Sequence, residues 1–139
     1  MNYGAVTSGN LFLEFVVYHP TIAHLISEYL ISNQTYIYDQ MVATKDKFRP
    51  VVISRSLFPG RCNFPFDPVH SLFPWARVYN KLVEVNEDFI NRVSDKYFEY
   101  WIKKENASIL HAHFGTFGVR LIPLKKKTGR TSATQIPTV

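Results

Sequence analysis

The chain has 139 residues, of which 46% are hydrophobic and 15% aromatic, and it carries a formal net charge of +5. This length matches one domain with one core, and the apolar content excludes general disorder and any function that needs two complete lobes in one chain. The first 44 residues contain three acids and no Lys or Arg. The positive charge is therefore concentrated in the remainder, where it could attract phosphate or an anionic surface.

The single cysteine, Cys62, cannot form an intramolecular disulfide, which favours a reducing, cytoplasmic setting. The apolar residues 11–17 follow no basic segment, so a signal peptide is not expected. The uncharged stretch between Glu14 and Glu28 contains Pro20 and is too short to cross the hydrocarbon core of a bilayer. The sequence therefore predicts a cytoplasmic chain and leaves peripheral association with a membrane open.

The first half of the chain predicts two strands and a helix between them. A poorly patterned leader over residues 1–21 comes first and includes a short apolar strand at 11–17. It is followed by a strand over 22–31, a helix over 36–45 and a strand over 51–53. Asn33 or Thr35 is placed to cap the helix, because both side chains can accept hydrogen bonds from its first turn. The β-branched run 51–53 is typical of a strand buried in a parallel sheet.

The second half predicts a loop, a long helix, a strand and a final helix. Their expected bounds are 54–74 for the loop, 75–104 for one long amphipathic helix or two consecutive ones, 109–114 for the strand, 117–127 for the last helix and 131–139 for a frayed tail. The loop holds several prolines among phenylalanines, and a loop of this length either contacts a ligand or packs its aromatic side chains on the sheet. Pro123 should kink the last helix or begin it late, and Gly129 is placed to end it.

The alternation of strands and helices predicts an α/β fold with a parallel sheet covered on both faces. Ligands of such sheets bind beside the carboxyl ends of the strands. His111 and His113 lie two residues apart on the predicted strand over 109–114, so their side chains point to the same face. Three interpretations are open: a zinc site, a hydrogen-bonded pair in the core, and a cleft histidine that contacts an anionic or hydroxylated ligand.

A zinc site needs three or four ligands. The other candidate ligands show no metal-binding spacing: Cys62, His70, His19, His24 and scattered acids. We therefore predict no metal site and no cofactor. The turn over 115–118 resembles a phosphate-cradling turn ahead of a helix, but it lacks the glycine spacing of a dinucleotide fingerprint and the Lys-Ser/Thr pair of a P-loop.

Two blocks of sequence carry a family resemblance. The first is Asn33-Gln-Thr-Tyr-Ile-Tyr-Asp-Gln-Met41, followed by Phe48-Arg-Pro-Val-Val-Ile-Ser54. The second is Ile109-Leu-His-Ala-His-Phe-Gly115, followed by Leu124-Lys-Lys-Lys-Thr-Gly-Arg130. In this order, within residues 22–130, they resemble the amino-terminal domain of the family 4 (group 1) glycosyltransferases.

The resemblance implies a GT-B arrangement, in which two Rossmann-like lobes enclose the active site and the amino-terminal lobe binds the acceptor. It implies metal-independent hexosyl transfer from a nucleotide sugar to a glycan or lipid-linked acceptor, with no nucleic-acid partner. By position, it places Asn33 and Thr35 after the first strand, and His113 and Gly115 at the cleft edge, as acceptor-binding residues. No catalytic residue is carried over, and the nucleotide sugar is a partner only if a second lobe is supplied.

The chain also departs from the family pattern. Family members continue with an apolar strand and a Phe-His-Gly turn, whereas this chain reads Thr131-Ser-Ala-Thr-Gln-Ile-Pro-Thr-Val139. The donor lobe with its Glu-x7-Glu motif is missing as well. We therefore expect a truncated lobe that is inactive alone, and whether it serves an enzyme stays open. The alternative is a small basic α/β module that binds phosphate-bearing or nucleic-acid ligands through residues 125–130.

Overall fold

A computed structural model describes residues 18–29, 34–58 and 64–135, with only the backbone described for residues 115, 116 and 131–135. Five strands and four helices lie in these ranges. In chain order they are β1 (Thr21–Tyr29), α1 (Thr35–Ala43), β2 (Arg49–Leu57), β3 (Val69–Phe73), α2 (Ala76–Lys104), β4 (Ile109–His113), α3 (Gly115–Arg120), α4 (Ile122–Thr128) and β5 (Thr131–Gln135). None of the described helices combines the length and the apolar character needed to cross a membrane.

The strands form one sheet in the order β3-β2-β1-β4-β5, and every pairing in it is parallel. The chain runs outward from β1 to β2 and β3, then returns to the other side of β1 for β4 and β5. Helices cover the sheet on both faces, so the predicted α/β fold and its Rossmann-like three-layer lobe are confirmed.

One face of the sheet, which we call the α2 face, packs an apolar core against α2, α3 and α4. Alternate side chains of the three central strands reach this face, because the strand period is two. They meet buried residues of the helices and of the turns beside them. The buried cluster comprises Ala23, Leu25, Val51, Ile53, Leu110 and Ala112 from the strands, and Phe98, Ile102, Ala107, Phe117, Leu121 and Leu124 from the covering segments.

The opposite face, which we call the α1 face, packs against α1. Ile26 and Val52 of the sheet contact Ile37 and Met41 of the helix, and all four side chains are fully buried. Half-buried aromatic residues surround this smaller cluster, among them Phe64, Phe66 and Phe114. Phe64 lies beside Tyr29 and Tyr38, and Phe114 follows β4, so these two residues close the α1 face toward the carboxyl ends of the strands. Phe66 lies against Lys45, nearer the amino ends.

Two predicted irregular segments are strands in the structure. The expected loop over 54–74 is wrong at both ends, because β2 continues to Leu57 and Val69–Phe73 forms β3 beside it. The expected fraying of 131–139 is wrong for Thr131–Gln135, which pairs with β4 as β5. Both strands lie at sheet edges, where backbone pairing to one neighbour suffices and no long apolar run is needed.

The helices show two further features that sequence predicted only in part. The helix expected over 117–127 is divided into α3 and α4, with Pro123 in the first turn of α4, where its missing N–H costs nothing. Gly129 ends α4 in the left-handed conformation (φ 64°), as predicted. The long helix α2 is kinked at Asn86, whose φ of −158° and ψ of 88° are not helical. The strand predicted at 11–17 and the last part of the strand predicted over 22–31 lie outside the described residues.

Candidate functional site

The candidate site lies where the carboxyl ends of β1 and β4 meet. These neighbouring strands continue in opposite directions across the sheet, since β1 leads toward β2 and β4 leads toward β5. Such a topological switch point opens a crevice between the two connections, and ligands of open parallel sheets bind there. His113 is the last residue of β4, and Thr35 begins the helix that follows β1.

Three histidines lie together on the α1 face of these two strands. The register pairs His24 of β1 with His111 of β4, and His113 lies two residues further along β4 on the same face. The ring centroid of His111 is 4.3 Å from that of His113, and the His24 centroid is 5.2 Å from each. We call these three residues the histidine cluster.

Two members of the histidine cluster are hydrogen-bonded in the interior. The distance from His24 Nδ1 to His113 Nε2 is 2.9 Å, so one of these nitrogens donates a hydrogen bond to the other. The side chain of His24 is 1% exposed and that of His113 is 0% exposed, whereas His111 is half-buried. The cluster therefore contacts its surroundings through His111.

Burial keeps the histidine cluster uncharged. Desolvation, reinforced by the neighbouring His111, lowers the pKa of His24 to about 3. Desolvation, reinforced by both neighbouring rings, lowers the pKa of His113 to about 2. The pKa of His111 is also lowered by its burial. At neutral pH, the cluster therefore presents neutral imidazoles, each with one protonated nitrogen and one lone pair.

The hydrogen bond between His24 and His113 leaves one nitrogen of each ring without a partner. Among the described residues, neither His24 Nε2 nor His113 Nδ1 has a hydrogen-bond partner, although both atoms are buried. A buried nitrogen without a partner costs about 1–3 kcal/mol. An ordinary core pair would not leave two such atoms, which marks the histidine cluster as a functional candidate.

The backbone turns sharply directly after the histidine cluster. Phe114 has φ 76° and ψ 128°, a region that bulky side chains rarely occupy, and it joins β4 to α3. Conformations of this kind cost about 1–3 kcal/mol and concentrate at functional sites. The side chain of Phe114 packs with the aromatic residues of the α1 face. The strained turn thus directs the chain from β4 into α3 at the edge of the crevice.

The four predicted site residues have different positions in the structure. Thr35 is exposed at the start of α1, and Gly115 is the first residue of α3, so both lie on connections that border the crevice. His113 lies at the predicted end of β4, but it is fully buried and does not line an open cleft. Asn33 lies outside the described residues. The common face of His111 and His113 is confirmed.

His24 is the member of the histidine cluster that sequence reasoning did not bring to the site. In the sequence it is one isolated ligand candidate, because its distance along the chain from the other two histidines shows no metal-binding spacing. The signal that unites them is the register of two parallel strands, in which His24 is directly opposite His111. A single sequence does not contain that register, since it depends on which strands are neighbours.

Comparison of the chain with protein-family models, with curated proteins and with solved structures finds no significant match. Its class therefore rests on its own fold and site. The chain is an α/β protein with a Rossmann-like parallel sheet, and a buried histidine cluster lies on the two strands that form its switch point, with His113 at the carboxyl end of β4.

Proposed function

We propose that the chain is the acceptor-binding lobe of a nucleotide-sugar-dependent glycosyltransferase that transfers a hexosyl unit to a glycan or lipid-linked acceptor. One observation carries the proposal. The first segment of each block of the family resemblance borders the same crevice: that of the first block enters α1 after β1, and that of the second block forms β4 and the turn at Phe114. Sheets of this topology bind their ligands at that edge.

The residues at this edge suit an acceptor with hydroxyl groups and apolar ring faces. The exposed hydroxyl of Thr35 can donate and accept hydrogen bonds. The half-buried rings of Phe64 and Phe114 offer apolar surface at the same end of the sheet. Binding sites for small molecules combine such apolar walls with a few oriented polar groups. We place the acceptor between the start of α1 and the Phe114 turn.

Acceptor binding can be tested by nuclear magnetic resonance on the full chain. A panel of short oligosaccharides is titrated into ¹⁵N-labelled protein, and the expected shift changes are confined to amides near Thr35, Phe114 and Gly115. The variant Thr35→Val should weaken binding by about tenfold, which corresponds to the loss of one hydrogen bond. Thr128→Val is the matched control on α4 and should bind as the wild type does.

A second candidate function has one observation in its favour. Lys125, Lys126 and Lys127 are all exposed in the last turn of α4. They could bind phosphate groups, as expected for a basic α/β module. The adjoining groove between α2 and α4 is lined by two acidic residues, Asp95 and Glu99, and by four basic residues, so it stays positive overall: Arg92, Lys96, Arg120 and Lys127. If this second function is correct, the chain should bind a single-stranded oligonucleotide. The binding should weaken as the salt concentration rises and when the three lysines are replaced by alanine.

The two candidate functions therefore predict different maps of the bound surface. Shift changes at the start of α1 and the Phe114 turn, insensitive to salt, support the glycosyltransferase lobe. Changes confined to α4 that disappear at high salt support the basic module. A panel of acceptors that causes no shift at the switch point contradicts the proposed function.

A further inference from the structure

We propose that His24, His111 and His113 together bind one divalent transition-metal ion of the zinc class, with a coordination position left open beside His111. This proposal goes beyond the proposed function and does not depend on it. It also departs from the sequence-based expectation of no metal, which was made because the third ligand could not be located.

The donor atoms are close enough to share one ion. One nitrogen from each of the three rings can be chosen so that all lie within 4.8 Å of one another. Zinc binds imidazole nitrogens at about 2.0–2.1 Å, so tetrahedral ligand atoms are about 3.3–3.4 Å apart. His24 Nδ1 and His113 Nε2 are already at 2.9 Å. No pair of donor atoms then needs to approach by more than about 1.5 Å, and the half-buried His111 is the ring with room to move.

The protons of the cluster allow this coordination without ionising any ring. In the metal-free state, one proton lies between His24 Nδ1 and His113 Nε2. The ion takes its place, and the ring that held this proton changes tautomer and carries it on its other nitrogen. Each ring then remains a neutral imidazole, which is the form that coordinates metals. The proton that moves has a vacant position, because the other nitrogen of the same neutral ring carries a lone pair.

The chemistry of the donors selects the class of ion. Three imidazoles suit Zn²⁺, Cu²⁺, Ni²⁺ and Co²⁺, whereas Mg²⁺ and Ca²⁺ require oxygen ligands. Within the described part of the chain, the group of candidate ligands consists of these three histidines and contains no carboxylate. Three neutral ligands leave the double positive charge of the ion uncompensated. The open fourth position is therefore suited to hydroxide or to an anionic oxygen of a ligand.

A hydrogen-bonded core pair explains less of the geometry. Such a pair accounts for the contact of His24 with His113, but it gives no role to the third ring, only 4.3 Å from His113. Metal binding supplies a use for all three lone pairs on the same face of the sheet.

The test uses the full chain without an affinity tag, freed of metal with a chelator and then dialysed. Titration with Zn²⁺ is followed by calorimetry, and titration with Co²⁺ by visible absorption. We expect one equivalent of each ion, and cobalt bands typical of a site with nitrogen ligands. His111→Ala should weaken binding by more than about 100-fold, because even groups that only orient a metal ligand contribute about 10- to 100-fold.

His70→Ala is the matched control for His111→Ala. His70 is also half-buried, but it lies on β3, where it stacks against Trp101 and is hydrogen-bonded to Glu105. Its loss should therefore not change the stoichiometry or the affinity of metal binding. If His111→Ala fails to fold, His111→Phe retains an aromatic ring of similar shape without a lone pair. Circular dichroism establishes that each variant is folded before it is titrated.

Three results would overturn the proposal. The first is absence of saturable binding in the wild type at one ion per chain. The second is wild-type affinity in a folded His111→Ala or His111→Phe variant. The third is loss of binding in His70→Ala, which would place the ion elsewhere. A failed metal titration does not affect the oligosaccharide titration, so the metal site and the acceptor site are tested separately.

Discussion

The two faces of the sheet differ in what they bury. The α2 face buries a continuous apolar cluster that extends from β2 through β1 to β4 and is covered by three helices. The α1 face is apolar only near β1, β2 and α1, and toward β4 it buries imidazoles instead. His24 and His113 are shielded as completely as the apolar residues of the α2 face. The difference therefore fits a first face that serves stability and a second face that also holds the candidate site.

The same two strands supply both kinds of surface. In β1, Ala23 and Leu25 point to the α2 face, whereas His24 points to the α1 face. In β4, Leu110 and Ala112 likewise alternate with the two other histidines. The alternation of a strand thus allows a polar group to be buried on one face without interrupting the core on the other.

The largest effect is expected from the α2 face. Phe98 is fully buried and meets Phe117 edge to face at 5.8 Å between ring centroids. Phe98→Ala should lower the free energy of unfolding by about 3–5 kcal/mol, because it removes a large apolar side chain and leaves a cavity. Urea denaturation measures this loss. Phe89→Ala, on the same helix but 55% exposed, is the control and should change the unfolding free energy by less than about 0.5 kcal/mol.

If Phe98→Ala and Phe89→Ala destabilise the chain equally, the α2 face is not the main source of stability. This result would contradict the assignment of the α2 face to stability. A loss of helical circular dichroism in the Phe98→Ala variant alone would sharpen it, because this result would tie α2 to the apolar cluster beneath it.

The next effect is expected from the buried pair on the α1 face. His113→Leu removes the partner of His24 Nδ1 at nearly constant volume and should cost about 1–3 kcal/mol of unfolding free energy. The double variant His24→Leu/His113→Leu should cost less than the two single variants together, with a coupling of about 0.5–3 kcal/mol. Urea denaturation in the presence of a chelator measures all four proteins without bound metal.

Additive effects of the two leucine substitutions would contradict a coupled pair. The direct effect of His113 substitution on stability also differs from the cleft interpretation made from sequence, in which His113 lines an open crevice. A fully buried, hydrogen-bonded ring cannot be removed without a cost to folding. Contact with a ligand in the crevice therefore has to be made by the more exposed groups around it, such as Thr35.

The fold class could be predicted from sequence because it depends on local patterns. The run 51–53 and the alternation around His111 have the apolar character of central strands, and the spacing of apolar residues in α2 predicts a long helix. The edge strands β3 and β5 could not be predicted in the same way, since they depend on pairing with a neighbour. Their composition is compatible with a loop, and only the exposed backbone edges of β2 and β4 make strands of them.

Only the part of the candidate site that lies on a single strand could be predicted from the sequence. The period of β4 is sufficient to place His111 and His113 on one face. The contribution of His24 depends on the crossover that brings β4 beside β1, and the burial of His113 depends on what covers that face. Neither is a local property of the sequence. The strained conformation of Phe114 likewise could not be expected, because bulky residues disfavour it.

A polar cluster beside β2 and β3 provides the contrast to the histidine cluster. Glu105, after the end of α2, accepts hydrogen bonds from Arg49 of β2 and from His70 of β3, the latter at 2.7 Å. The carboxylate thus has a partner for each oxygen, whereas two nitrogens of the histidine cluster have no partner within the part of the chain that the structure describes. A fully partnered cluster ties helix to sheet, and its removal should affect stability alone.

The smallest effect is expected at Glu105, and it should depend on pH. Burial alone would raise the pKa of this carboxyl, but the hydrogen bonds from Arg49 and His70 outweigh it and hold the pKa below its ordinary value of 4.5. The unfolded chain therefore takes up this proton at a higher pH than the folded chain does. The stability that Glu105 contributes is full above pH 4.5 and is lost as the pH falls through the lower, folded-state value.

Glu105→Gln should accordingly lower the unfolding free energy by about 1 kcal/mol at pH 7, a modest cost because Arg49 is half-exposed. The difference from the wild type should shrink as the pH falls below 4.5. Urea midpoints across this range measure it, with the exposed Glu84→Gln as a control that leaves the midpoint unchanged. A difference that grows toward acid pH would contradict the assigned direction. Glu105 lies beside β2 and β3, away from the histidine cluster on β1 and β4. Its loss should therefore leave zinc titration and oligosaccharide binding unchanged. This result would separate a polar cluster that only supports the fold from one that forms a site.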